Sequence, residues 1–179
     1  MVILRKIQMK KIIIIGSLIL AFTVFASAQN KSVYTSLDTK TCKTIEQSDE
    51  GSGWYRGECK GVGGYKLEVT EGDIRQSINV VVSPKKKFEL DFSRVSPAFS
   101  SVGAKAEWRM KGKIPVALIV RFNASDVEDE TKTVSYLVVS KISKTGSCIT
   151  DVVNAGKNQN ADAQKLADSA ASKPCKVFE

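Results

Sequence analysis

Val116-Ala117-Leu118-Ile119-Val120 is nearly all apolar, and Thr133-Val134-Ser135-Tyr136-Leu137-Val138-Val139 is rich in β-branched and aromatic residues. An acidic stretch, Asp126-Val127-Glu128-Asp129-Glu130, lies between them. A short, continuous apolar run marks a central strand covered on both faces. A β-branched and aromatic run suits a pleated, half-buried surface. Pairing residues 133–139 with residues 116–122 across the acidic turn predicts a hairpin of ordinary strand length, the core of the domain.

Period-two alternation continues upstream. Ala104, Ala106, Trp108 and Met110 alternate with Lys105, Glu107 and Arg109, until Gly112 and Pro115 interrupt the pattern. Residues 93–103, Ser-rich with Pro97, read as a loop crossing the domain. Residues 65–69, 74–82 and 88–92 alternate again, joined by a turn at Glu71-Gly72-Asp73 and a breaker at Ser83-Pro84-Lys85-Lys86-Lys87. That spacing predicts an antiparallel meander. A short strand, Trp54-Tyr55-Arg56, sits among Gly51, Gly53, Gly57, Gly61, Gly63 and Gly64. Residues 29–41 are polar and read as a flexible leader. Downstream, residues 158–171 carry alanines at helical spacing. Asn158 or Asn160 supplies the N-cap and Pro174 the stop. The fold class is mostly β (α+β): a single antiparallel sheet, sandwich or small barrel over residues 42–179, with one C-terminal helix.

The start of the chain has a different character. Arg5, Lys6, Lys10 and Lys11 precede a 14-residue uncharged run from Ile12 to Phe25, followed by Ala26-Ser27-Ala28. This is the pattern of a cleavable secretory signal over residues 1–28. Its apolar part, about 21 Å long as a helix, falls short of the ~30 Å hydrocarbon core. Met9 begins a self-sufficient signal by itself. Removing residues 1–28 takes away four basic residues and no acidic one, which lowers the net charge from +8 to +4. So modest a charge speaks against a nucleic-acid partner. Export implies the periplasm or the exterior, with membrane contact only through an uncleaved signal. In an oxidising compartment Cys42, Cys59, Cys148 and Cys175 read as two disulfides stapling the fold. Of the three pairings, Cys42–Cys59 with Cys148–Cys175 is favoured, because both bridges are local and one sits near each end of the domain.

Histidine is absent from the chain. That excludes a Ser-His-Asp or Cys-His pair and an imidazole-bound metal. Without a CxxC pair the cysteines make a poor metal set, so neither cofactor nor metal is expected. The glycines match neither GxGxxG before a helix nor GxxxxGK[ST]. Glu68, Asp73, Glu89 and Asp91 fall in strands or turns whose solvent faces need charge, so no catalytic residue is assigned. The acidic turn lacks the DxDxDG pattern of a calcium loop. Lys85-Lys86-Lys87 is a charged connector or a contact point for an anionic surface.

Two aromatic groups form a candidate binding surface. Trp54, Tyr55 and Tyr65 lie among glycines beside a cysteine. They either present a surface or pack over the disulfide. Trp108 and Arg109, among Lys105, Lys111 and Lys113, either grip an acidic partner or polysaccharide or guard an exposed edge strand.

The segments CKTIEQ from Cys42, GWYRGEC, GGYKLEV, EGDIRQS, SPAFSSVGAKAEWR and SYLVV together resemble a family of small exported bacterial proteins to which no function is attached. A weaker similarity is to periplasmic lysozyme inhibitors, small disulfide-bearing β-barrels behind a signal peptide. Their inhibitory loop carries Ser-Gly-x-x-Tyr, whereas Ser52-Gly53-Trp54-Tyr55 places tyrosine one position early. The expectation is a non-catalytic binding or structural module of the bacterial envelope, its partner an envelope protein or a polysaccharide. The alternatives are an inhibitor of that kind and a carboxylate-based hydrolase acting on cell-wall or glycan material.

Overall fold

The hairpin is present as β8 (Ile114–Ser125) and β9 (Thr133–Lys141), in register from Ala117 opposite Lys141 to Ser125 opposite Thr133. In this computed structural model residues 30–179 are described, apart from Asp49 and Ser52. The signal expected over residues 1–28 lies outside them. The remaining strands are β1 (Lys31–Ser36), β2 (Lys43–Ser48), β3 (Trp54–Lys60), β4 (Lys66–Gly72), β5 (Arg75–Ser83), β6 (Lys86–Glu89), β7 (Ser100–Lys111) and β10 (Cys148–Val153). All belong to one open sheet of order β10-β9-β8-β7-β5-β4-β3-β2, with β1 added to β7 and β6 to β5.

Neighbours run antiparallel except β5 and β7, which meet in parallel where Arg75 faces Ser100. From there β7 changes partner. Its register against β8 shifts between Val102 and Ala106, and from Lys105 onward its other edge carries β1. A bulge bends and twists a strand, so the sheet divides here into two halves. Leu67, Val69, Ile78 and Val80 from β4 and β5 share one core with Trp108, Leu118, Val120 and Phe122 from β7 and β8. The other face of β8 and β9 presents Ala117, Ile119, Leu137 and Val139. These pack on Ala163 and Ala167 of α1 (Gln159–Ser169) and on Ala170 just beyond it. The central strand is therefore covered on both faces, and the alanines let the helix lie close to the sheet.

Both disulfides join the expected partners, Cys42 to Cys59 and Cys148 to Cys175, with Cα atoms 4.4 and 5.7 Å apart. The second follows Pro174 and ties the chain after the helix to β10. Closing loops of these lengths contributes about 3 kcal/mol each in the chain-entropy account.

Several boundaries differ from expectation. Residues 31–36 are not a leader but β1, and Leu37 after it is buried. The polar composition concealed it: Thr35 faces inward because its Oγ1 accepts the Trp108 indole N–H at 2.9 Å. The crossing loop ends at Phe99, since residues 100–102 already pair with β8, and Ser100 with β5 as well. Lys86 and Lys87 are not connector but β6, and Phe92 is buried in a short 3-10 turn. Pro115 does not break the sheet; it sits inside β8 opposite Met110, after a two-residue turn at Gly112-Lys113. Asp73 and Ile74 form the β4–β5 turn with φ of 51° and 58°. A left-handed pair matches the twist of a tight hairpin, though isoleucine is a costly residue there.

Candidate binding cleft

Successive side chains on a strand alternate between faces, so Tyr55, Gly57 and Cys59 share the inner face of β3. Cys59 is core. Gly57 is where the face becomes a site: a Cβ on it would lie 1.9 Å from the Tyr55 hydroxyl and 2.5 Å from the carbon that bears it. The tyrosine ring thus occupies the space above Gly57, lying along the strand instead of standing off it. Its hydroxyl donates to the Thr39 carbonyl at 3.4 Å. The turn that carries Thr39 is itself ordered, since Asp38 Oδ1 accepts the Lys40 N–H at 3.0 Å. The adjacent Cys42–Cys59 bridge fixes that turn and β2 to β3.

Register extends the row across the sheet. Gln47 is opposite Tyr55, Tyr55 opposite Glu71, and Glu71 opposite Gln76. Gln76 Nε2 donates to Glu71 Oε2 at 2.5 Å, while its Oε1 accepts the Val102 N–H at 2.9 Å. The Gln76 amide and the Glu71 carboxylate are therefore held in place where β7 leaves β5. A cleft of about 610 Å³ opens over the Gln47, Tyr55 and Glu71 side chains of this row, lined also by Thr44, Trp54 and the Thr39–Lys40 turn, with Gln76 supporting Glu71 from behind the lining. The size is that of a small-ligand site. Trp54 begins β3 and keeps 43 % of its surface exposed, so it belongs to the cleft and not to a core over the disulfide.

The other three residues considered for a binding surface are interior. Tyr65 and Trp108 are both buried, their rings 6.3 Å apart in the shared core, and burial pushes the Tyr65 phenol up. Arg109 is only 3 % exposed. The edge-guard expectation fails with it, because β1 and β5 occupy the edge of β7. Arg109 instead reaches α1, where its Nε and Nη2 donate to the two oxygens of Asp168 at 2.8 and 2.9 Å. That bond to Asp168 raises its already high pKa. Glu107 joins the same cluster by accepting from Ser32 at 2.5 Å and Gln164 at 2.8 Å. Alternation placed Trp108 and Arg109 on opposite faces correctly, but a helix from residues 159–169 covers the face that looked like solvent.

Glu68 also departs from expectation. It is buried on the outer face, where Asn79 and Lys87 each donate to Oε1 at 2.9 Å and Arg56 lies 3.6 Å from Oε2. Burial alone would push its carboxyl up; the bonds from Asn79 and Lys87 and the charges of Lys87 and Arg56 outweigh that and hold it below the usual range. It is a structural anion. Gln47, Gly57, Glu71 and Gln76 were not singled out in the sequence. The available signal was Tyr55-Arg56-Gly57, an aromatic and a glycine two apart on one strand face.

No family model, no curated protein and no solved structure matches the chain.

Proposed function

We propose that the protein is a non-catalytic binding module of the bacterial envelope, and that its cleft takes a polysaccharide. The observation that carries this is the Tyr55 ring turned along β3 with its hydroxyl end over Gly57, beside Gln47 and Glu71 in the lining of the cleft. A pyranose has an apolar C–H face that stacks on an aromatic ring, and a rim of hydroxyls that both donate and accept. Amides and a carboxylate meet that rim with complementary groups. Because the Cys42–Cys59 bridge ties β2 to β3 and Gln76 holds the Glu71 carboxylate, less ordering is needed on binding. Two formed disulfides are those of an oxidising compartment. With the export signal over residues 1–28 this favours the periplasm or the exterior, where wall glycan is found.

A hydrolase is less well supported. Glycoside hydrolysis uses two carboxyl groups roughly 5–10 Å apart across the scissile bond. Among the described residues lining the cleft, Glu71 is the one acid, and Gln76 engages it.

The test is co-sedimentation with insoluble wall polysaccharide, with the supernatant assayed for released sugar. The expected result is retention of the protein, lost on Tyr55→Ala, with no sugar released. Release of sugar that Glu71→Gln abolishes would replace this proposal with the hydrolase. A stoichiometric block of lysozyme without glycan retention would replace it with the inhibitor.

A further inference from the structure

Strand order gathers lysines that the sequence scatters. Lys60 at the end of β3, Lys85 in the β5–β6 turn, Lys111 and Lys113 at the β7–β8 turn and Lys144 after β9 all come to one end of the sheet. All five are exposed. None pairs with a carboxylate among the described residues. Asp73 and the acidic loop of residues 126–130 lie at the other end. The basic loops touch one another: a Cβ on Gly63 would meet Pro115 Cδ at 2.6 Å. Beside this contact opens a cavity of about 400 Å³ whose lining includes Lys113 and Lys144. Ile114, next to Lys113 at the hairpin tip, is 65 % exposed.

We propose that this end of the molecule docks on an anionic phospholipid surface, with Ile114 entering the headgroup layer and the lysines meeting lipid phosphates. A soluble polyanion would use the lysines and gain nothing from Ile114. An exposed apolar tip among long cationic side chains suits an interface that is wet on one side and apolar on the other. Each lysine held near such a surface favours partition by about fivefold. The attraction decays within a Debye length of ~10 Å, so gathering the charge at one end is what makes it effective. Among the described residues no helix is long and apolar enough to cross a membrane, and the contact is peripheral. It belongs to the folded domain and is independent of residues 1–28. It is also independent of the cleft: Tyr55 lies five residues from Lys60 along β3, about 17 Å away, and stays clear of the surface.

The experiment is sedimentation of the protein, as recovered after export, with two kinds of vesicle: phosphatidylcholine alone, and phosphatidylcholine with roughly 30 % phosphatidylglycerol. Binding is expected to the second only and to vanish at about 0.5 M salt. Lys111→Glu/Lys113→Glu/Lys144→Glu is expected to weaken it by more than about a hundredfold, since three attractive charges become repulsive, and Ile114→Ser several-fold. Lys60→Glu/Lys85→Glu repeats the charge test from other loops, and circular dichroism checks the fold of each variant. Equal sedimentation with both vesicles, no sedimentation with the anionic ones, or undiminished binding by the charge-reversed variants would overturn the proposal. So would retention on dextran sulfate, unaffected by Ile114→Ser, without vesicle binding; that result assigns the lysines to a soluble polyanion.

Discussion

At the scale of single residues, the cleft depends on what is missing from Gly57. Alanine there is compatible with a strand, yet its methyl would occupy the place of the Tyr55 ring, so the flexible side chain has to swing away. Gly57→Ala is expected to lower glycan retention as far as Tyr55→Ala does, while the thermal midpoint falls by only a few degrees; co-sedimentation and a melt check both parts. Glu68 carries the clearest pH dependence. Its folded pKa is depressed, so the stability it contributes is present above the unfolded carboxylate value and is lost as pH falls through the folded one. Denaturant midpoints are expected to drop on acidification below about pH 4, and Glu68→Gln to show a shallower drop from a lower starting point. Alternation alone made part of this legible. It assigned Trp108 and Arg109 to opposite faces, but whether a face meets solvent, a helix or neighbouring lysines is set by distant chain. Arg109 and Glu68 were misplaced for that reason.

At the scale of elements, strong local patterns were readable and weak ones were not. The apolar run of β8 and the β-branched run of β9 specified their hairpin, and the alanine spacing of residues 158–171 specified α1. β1 was hidden because its inward Thr35 is polar, a choice explained only by the buried Trp108 indole it serves. The helix dock is likewise non-local. Arg109, nearly solvent-free, is joined to Asp168, whose side chain keeps 29 % exposure. Removing Asp168 takes away two charged hydrogen bonds and leaves Arg109 with Glu107, 3.5 Å from its Nη1. Asp168→Ala is therefore expected to cost about 2 kcal/mol in a denaturant titration. Hydrogen exchange should rise first in α1, and in β1, which shares the cluster through Ser32.

At the scale of the whole molecule, the disulfide pairing was legible because both bridges are local, whereas the bend between the two halves and the gathering of lysines at one end arise from strand order. Mass spectrometry of unreduced protein from its native source is expected to find no alkylatable thiol. Cys148→Ser/Cys175→Ser is expected to cost about 3 kcal/mol, with increased exchange confined to residues 170–179 and β10. At the bend the Val102 N–H holds Gln76, which in turn holds Glu71 of the cleft, and so strand order joins the fold to the proposed activity. The most direct test is to titrate soluble wall-glycan fragments into isotope-labelled protein and follow its backbone resonances. The account predicts shifts centred on Gln47, Trp54, Tyr55 and Glu71, with the fragments recovered intact. Saturating fragments that leave those resonances unmoved, or that are cleaved unless Glu71 is replaced, would contradict it.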